Sequence, residues 1–103
     1  MENIALLQNW YLSQCNEDWE LSYQIKIETL DNPGWIVRID LTDTGLNGRP
    51  FEPTYYGVHD KAEESGDEWL DCKVEMNQFI GAGGPLKLDE ILGVFLAWAR
   101  GAA

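Results

Sequence analysis

Two alternating stretches flank a dense turn signal, and together they constrain the fold of this chain more than any other feature. Apolar residues recur at every second position over 23–29 and again over 35–41, which is the period of a half-buried strand. Between them lies a turn signal formed by Asp31, Asn32, Pro33, Gly34 and Trp35. The pattern predicts an antiparallel hairpin.

The register of this hairpin follows from the requirement that both apolar sets face one core. A loop of residues 32–34 meets this requirement and places Ile27 opposite Ile39. It also creates two cross-strand pairs of opposite charge, Glu28 with Arg38 and Lys26 with Asp40. Such pairs contribute roughly 0.2–1 kcal/mol each. We expect Gly34 to supply the positive φ angle that the loop needs.

The remaining patterns predict more strands and two helices. The predicted helices span residues 3–15, with Asn3 as the cap, and residues 88–99. The predicted strands lie at 55–58, 70–76 and 79–80, and the glycine-rich segment 81–85 is predicted to end the sheet. Because no β-α-β alternation occurs, the order predicts an α+β fold: an antiparallel meander sheet of four to five strands, with an N-terminal and a C-terminal helix packed on one face.

The length of 103 residues suits one hydrophobic core, so we expect a single domain over residues 1–103. The first residues carry no basic segment ahead of a long apolar stretch, and no run reaches the roughly 18 apolar residues of a membrane span. These features favour a cytoplasmic protein. In that compartment Cys15 and Cys72 are expected to be reduced thiols that serve as small core residues.

The chain carries a formal net charge of −11. A field of that sign repels the phosphates of nucleic acids and anionic lipid head groups, so we expect no direct nucleic acid partner and no membrane partner. It can steer a basic protein toward the chain, and it can also keep a protein soluble without any partner. The charge alone leaves both interpretations open.

Residues with catalytic or metal-binding chemistry are few. The single histidine, His59, has no nucleophile-bearing motif beside it, so we predict no enzyme activity. The acidic run 60–68 lacks the ligand spacing and central glycine of a calcium loop, and two distant cysteines with one histidine do not match a zinc site. We therefore expect no metal and no cofactor.

Trp69 stands apart from the other four tryptophans. It falls on the strand face opposite Leu70, Cys72 and Val74, so the alternation predicts an exposed indole. Exposed aromatic residues are favoured anchors of protein interfaces. Trp69 is therefore an expected contact residue.

Several segments together resemble one known family. They are Trp10-Tyr11-Leu12, Cys15 followed by Trp19-Glu20, the run from Ile27 to Trp35, Gly83-Gly84-Pro85, and Phe95-Leu96-Ala97-Trp98. Over nearly its whole length the chain resembles the immunity protein 53 family of bacterial polymorphic toxin systems, and the run from Thr29 to Trp35 is the most specific element. The resemblance implies that the protein binds a cognate toxin and blocks its activity.

Charge and exposure, and not the resemblance, supply the expected toxin contacts. They are Asp43, Glu52, Asp60, Glu63, Glu64, Asp67, Glu68, Trp69 and Asp71. The acidity makes a basic nuclease a reasonable toxin. We interpret the turn at 31–35 as structural, while contact with the toxin is the other interpretation. A small metal- or ligand-binding module is the alternative function, and both a monomer and a dimer stay open.

Overall fold

The computed structural model describes residues 2–58 and 68–101, which form three helices and five strands. These are α1 (Glu2–Gln14), α2 (Trp19–Ser22), β1 (Ile25–Leu30), β2 (Gly34–Asp40), β3 (Thr54–Tyr56), β4 (Leu70–Glu75), β5 (Gln78–Gly83) and α3 (Leu88–Arg100). Helices lie at both ends and every strand pair is antiparallel, so the predicted α+β class is confirmed. Within these ranges, no helix has the length and apolar character needed to cross a bilayer.

The strands lie in the order β1-β2-β5-β4-β3, so they do not follow one another across the sheet in chain order. Two hairpins, β1–β2 and β4–β5, meet where β2 pairs with β5. Strand β3 adds to the far side of β4. This arrangement leaves β1 and β3 as the two edges of the described sheet.

One face of the sheet carries the core, and α3 lies on it. Alternate residues of the central strands point to this inner face, among them Val37, Phe79 and Cys72, all of them fully buried. Helix α3 adds the buried side chains of Ile91, Leu92, Phe95 and Leu96. Helix α1 contributes Leu7 and packs chiefly against α3. The inner face of β1 is consequently less covered than the inner face of the central strands.

Two glycines in β5 allow α3 to approach the sheet closely. Gly81 and Gly83 pair with Val37 and Trp35 of β2, so β5 is longer than the predicted strand 79–80 and ends inside the glycine-rich segment 81–85. A Cβ atom at Gly81 would lie only 2.5 Å from Cγ2 of Ile91. Glycine usually weakens a strand, but here its missing side chain makes room for the helix.

The first hairpin is confirmed, but its predicted register is wrong by two residues. Ile27 lies opposite Val37, and residues 31–33 form the loop in place of 32–34. The apolar residues still share one face, because a shift of two preserves the alternation of side chains. The two expected pairs of opposite charge are not formed, since Lys26 lies opposite Arg38 and Glu28 lies opposite Ile36.

Close packing, in place of a positive φ angle, accounts for the residues of the turn. The φ angle of Gly34 is not positive, contrary to the prediction, and the Asn32–Pro33 peptide bond is cis. Gly34 is required for a different reason, because a Cβ atom there would collide with the carbonyl oxygen of Gly83. The indole of Trp35 donates a hydrogen bond to the carbonyl of Pro85 (2.9 Å), which ties the hairpin to the segment before α3.

The second hairpin is confirmed and has a two-residue turn. Met76 and Asn77 form this turn with φ angles of 53° and 62°, the left-handed conformation that matches the twist of the flanking strands. Met76 was predicted as the last residue of the strand. It lies in the turn instead, with 92% of its surface exposed.

The N-terminal region differs from the prediction at its helix ends. Helix α1 begins at Glu2, so Asn3 is not its cap; the Asn3 amide instead donates to the backbone carbonyl of Asp89 (3.1 Å) and joins α1 to α3. Cys72 is a core residue as predicted, but Cys15 lies after α1 and is only partly buried. The short helix α2 was not predicted.

Candidate interaction surface

The predicted contact residues that the structure describes do not form one cluster. Asp43 lies in the loop after β2, Glu52 lies before β3 beside α3, and Asp71 lies on the outer face of β4. Asp43 and Glu52 are exposed, and Asp71 is half-buried. The acidic residues Asp60, Glu63, Glu64 and Asp67, like His59, lie outside the described residues.

Glu68 is engaged within the protein. Its carboxylate accepts a hydrogen bond from Lys87 (2.8 Å), and the Lys87 ammonium lies 3.7 Å from the carboxylate of Glu90. The hydroxyl of Tyr56 donates to Glu90 (2.9 Å). The hydrogen bond with Glu68 raises the pKa of Lys87 above its ordinary value, and Tyr56 adds to this effect. A partner must compete with Lys87 for the Glu68 carboxylate.

Trp69 lies on the predicted face but is not exposed as predicted. Its ring edge, at Cζ2, would be 3.4 Å from a Cβ atom at Gly34, a residue of the outer face. Only 9% of its surface is accessible, so the exposure that nominated it as an anchor is absent. Its indole nitrogen has no hydrogen-bond partner among the described residues. Burial of this ring depends on how the chain segments at this end of the sheet pack together. The alternation of residues along a strand does not report that packing.

An open cleft of about 430 Å³ lies between the N-terminal helices and the start of β1. We call it the α1–β1 cleft. It is lined by Leu7, Gln8 and Tyr11 of α1, Glu20 of α2, and Tyr23, Gln24 and Ile25 at the start of β1. The cleft exists because α1 packs against α3 and leaves the inner face of β1 partly uncovered.

The polar groups in the α1–β1 cleft are held in fixed positions. Both oxygens of Glu20 accept backbone N–H groups, one from Asn16 (3.0 Å) and one from Glu17 (2.9 Å). The side chain of Asn16 in turn accepts the backbone N–H of Trp19 (2.8 Å), which caps α2. Contact with the Cys15 side chain raises the pKa of Tyr11, with smaller contributions from desolvation and from Glu20. The cleft therefore offers a fixed carboxylate beside a neutral phenol.

The three elements that form this cleft carry exposed apolar side chains. They are Ile4, Tyr11 and Leu12 of α1, Leu21 of α2, and Ile27 of β1. Ile27 shows the reason most clearly. It points to the same face as buried Val37, yet 41% of its surface is exposed because no described element covers β1 there. Exposed apolar surface beside a cleft is typical of a binding site for a protein partner.

Aromatic rings connect the α1–β1 cleft to the core. Trp19 packs against Tyr11, Tyr23 and Trp10, with ring centroids 6.0–6.2 Å apart. Trp10 continues to Phe95 of α3 at 5.0 Å. The indole of Trp19 also donates to the carbonyl of Thr42 (2.9 Å). The walls of the cleft are thus anchored to the core.

The cleft lies in a strongly acidic part of the chain. Residues 2–31 contain six carboxylates, at Glu2, Glu17, Asp18, Glu20, Glu28 and Asp31, and one ammonium, at Lys26. None of the six lies within 4 Å of a cation in the described ranges. By contrast, Lys73 contacts Glu75, and Lys87 contacts Glu68 and Glu90. Residues 2–31 therefore carry a net charge of −5, and one of their carboxylates, that of Glu20, lines the cleft.

The described residues offer little reactive chemistry. Across 2–58 and 68–101, no group of three or more histidine, cysteine or acidic side chains could hold a metal ion. Cys72 is fully buried, and its desolvation raises the thiol pKa to about 12. Such a thiol stays protonated at neutral pH and is a poor nucleophile.

Sequence reasoning missed the α1–β1 cleft because it assigned its residues to the core. Tyr11 and Ile27 have the correct periodicity for burial, but periodicity does not show which element covers them. One usable signal was the residue types before α2. Asn16 and Asp18 are of the kinds favoured just before a helix begins.

Comparison with known proteins gives one match. The family model described as immunity protein 53 matches residues 4–100, nearly the whole chain. The matched range begins in α1 and ends in α3, so it includes all five strands. No curated protein and no solved structure matches.

Proposed function

Because this chain belongs to the immunity protein 53 family, we propose that it neutralises a cognate toxin by binding it, and that this toxin is a basic protein such as a nuclease. The family resemblance inferred from the sequence segments is confirmed by the match over residues 4–100. Membership of an immunity protein family suggests toxin neutralisation. The basic character of the toxin, its nuclease activity and a cytoplasmic encounter inside a bacterium are our proposals.

One observation carries the proposal about charge: residues 2–31, which include most of the lining of the α1–β1 cleft, hold six carboxylates and one ammonium. A net charge of −5 over residues 2–31 creates a negative potential that attracts a cationic partner and raises its association rate. Nucleases commonly carry basic surfaces for their substrates. An acidic inhibitor can therefore capture them quickly.

The proposed mode of action is binding without catalysis. The buried Cys72 thiol is withdrawn from reaction, and the fixed Glu20 carboxylate is placed to accept a cationic side chain. The contact residues expected from sequence, among them Asp43, Glu52 and Asp71, lie on other parts of the surface and remain predictions. They can still contribute long-range attraction, which does not need direct contact.

The test measures association and dissociation rates with the toxin domain encoded beside this chain. Asp18→Asn and Glu28→Gln each remove one unpaired charge from residues 2–31 with almost no change in shape. We expect each to lower the association rate by about two- to threefold at roughly 0.05 M salt and to have little effect at about 0.5 M salt. Glu75→Gln is the matched control, because Glu75 already contacts Lys73.

Two results would contradict different parts of the proposal. If the neighbouring toxin does not bind at any salt concentration, the chain is not its immunity protein. If it binds with association rates that ignore both salt and the two substitutions, the toxin-binding role stands. Steering of a basic partner is then wrong.

A further inference from the structure

We propose that the free edge of β1 receives an extended, basic segment of the toxin as a sixth strand, an inference that rests on the toxin-binding role proposed above. The side chains on one face of that segment would enter the α1–β1 cleft. Three independent features support this assignment: the direction of the backbone groups of β1, the cleft beside it, and the charge of the residues that form the cleft.

The backbone of β1 offers unpaired hydrogen-bonding groups at its outer edge. The N–H of Asp40 donates to the carbonyl of Gln24 (3.1 Å), which makes Gln24 and Asp40 a hydrogen-bonded pair. In an antiparallel ladder such pairs alternate with pairs that make no hydrogen bond. Ile25, Ile27 and Thr29 are in the second class, so their N–H and C=O groups point away from β2. They form a ready-made template for another strand.

The length and exposure of β1 suit strand addition better than those of the other edge. Strand β1 has six residues, and residues 26–29 are all exposed. Strand β3, at the opposite edge, has only three residues. Short edge strands discourage pairing, whereas a long exposed edge permits it.

The α1–β1 cleft lies on the side to which alternate residues of an added strand would point. Side chains of a strand beside β1 would alternate between the outer face and the inner face, where Ile25, Ile27 and Tyr11 are found. Main-chain hydrogen bonds would then provide affinity, and the cleft would select the side chains. An aliphatic or aromatic residue at every second position fits this geometry.

Charge identifies the occupant as a basic segment and disfavours a second copy of this chain. Residues 2–25, which form the helical side of the cleft, contain four carboxylates and no lysine or arginine, and they attract lysine and arginine. The two cations of the β1–β2 pair, Lys26 and Arg38, lie on the outer face of the sheet, away from the cleft. Two copies that paired through β1 would bring these carboxylates together and repel each other. The Glu20 carboxylate in the cleft is placed to meet one cationic side chain of the segment.

The deciding experiment is amide hydrogen exchange on the wild-type protein, alone and with a catalytically inactive form of the toxin domain encoded beside it. In the free protein, the amides of Ile25, Ile27 and Thr29 should exchange quickly, while those of Lys26 and Glu28 are protected by β2. On binding, we expect exchange of the first three amides to slow by roughly a hundredfold or more, because each becomes hydrogen-bonded within the complex.

Two substitutions separate the main chain of Ile27 from its side chain. Ile27→Pro removes an N–H group that β2 does not use, so we expect the fold to persist and affinity to fall roughly tenfold or more. Ile27→Ala keeps the N–H group and should therefore lower the affinity less than Ile27→Pro does. Leu86→Ala is the matched control, since Leu86 is an exposed aliphatic residue before α3. If Ile27→Pro does not fold, hydrogen exchange on the wild type still decides.

The outcomes distinguish this inference from the proposed function. A complex in which the three edge amides become protected supports strand addition. A complex without that protection overturns strand addition and leaves toxin binding intact. Absence of any complex overturns both. A free protein that is dimeric in solution, with the same amides already protected, assigns the edge to a second copy and overturns the inference.

Discussion

Lys26 lies directly opposite Arg38 across the β1–β2 pairing, so two like charges face each other on the outer face of the sheet. Like charges in opposed positions destabilise a strand pair. We therefore expect Lys26→Glu to raise the free energy of unfolding by about 0.5 kcal/mol in urea denaturation at low salt. In the register expected from sequence, the same change would set a carboxylate against Asp40 and lower stability.

Lys26→Gln is the control for this charge effect. It removes the repulsion without adding an attraction, so its gain should be smaller than that of Lys26→Glu. Both increases in the free energy of unfolding should be smaller in about 1 M salt, because the Debye screening length there is roughly 3 Å. A loss of stability in Lys26→Glu would show that the observed register is not the one in solution.

The close approach of α3 to the sheet predicts that Gly81 does not tolerate a side chain. Gly81→Ala places a Cβ atom against Ile91 and the ring of Phe79. We expect the free energy of unfolding to fall by about 1–3 kcal/mol, because an overpacked core forces the helix or the strand to move. Gly45→Ala is the control, since nothing lies within 4 Å of its Cβ position; it should be neutral or slightly stabilising.

Burial of Cys72 predicts a loss of stability in alkali. Its thiol pKa is raised to about 12, while the unfolded chain keeps the ordinary value of 9.0. Between these two values the unfolded state loses the proton first, so the free energy of unfolding falls as pH rises through this window. Below pH 9 both states hold the proton and this contribution to stability is fully present.

Urea denaturation of Cys72→Ala as a function of pH checks this expectation. The variant should be less stable than the wild type at pH 7 by about 1 kcal/mol, and the difference should narrow above pH 9. Cys15→Ala is the control. In the native protein a thiol reagent should label Cys15 and spare Cys72. A constant difference between Cys72→Ala and wild type from pH 7 to pH 11 would contradict the raised pKa.

The β4–β5 turn predicts a stabilising substitution. Met76 adopts a φ angle of 53°, which costs an ordinary L-residue about 1 kcal/mol and costs asparagine less. We expect Met76→Asn to raise the free energy of unfolding by about 0.5–1 kcal/mol in thermal or urea denaturation. Met76→Leu should leave stability unchanged, because the side chain is exposed. Equal stability of both variants would argue against the left-handed turn.

The fold class and both hairpins could be predicted from the sequence because their signals are local. The register could not, since alternation fixes only which side chains share a face and is identical after a shift of two. The energies of two charge pairs are small beside the packing of Gly34 against Gly83 and of Trp35 near Pro85. These contacts join segments about fifty residues apart, and no pattern within the hairpin reports them.

The candidate surface was predictable in chemistry but not in place. The acidity was visible in the sequence, but it left open whether the charge steers a partner or only keeps the protein soluble. Trp69 shows why placement failed: its face followed from alternation, but its burial depends on neighbouring segments. Ile27 shows the converse. It has the periodicity of a core residue, but it is exposed because α1 packs against α3 and does not cover β1. Whether a neighbouring element covers a side chain depends on tertiary packing, which a local sequence pattern does not report.

The pairing of β2 with β5 also sets the order of events during synthesis. Strand β2 leaves the ribosome some forty residues before β5. The interval between α1 and its packing partner α3 is longer still. Until residues 78–100 have emerged, the nascent chain has neither the central strand of its sheet nor the helix that closes its core. The toxin binding that we propose therefore belongs to finished molecules, and not to chains still being translated.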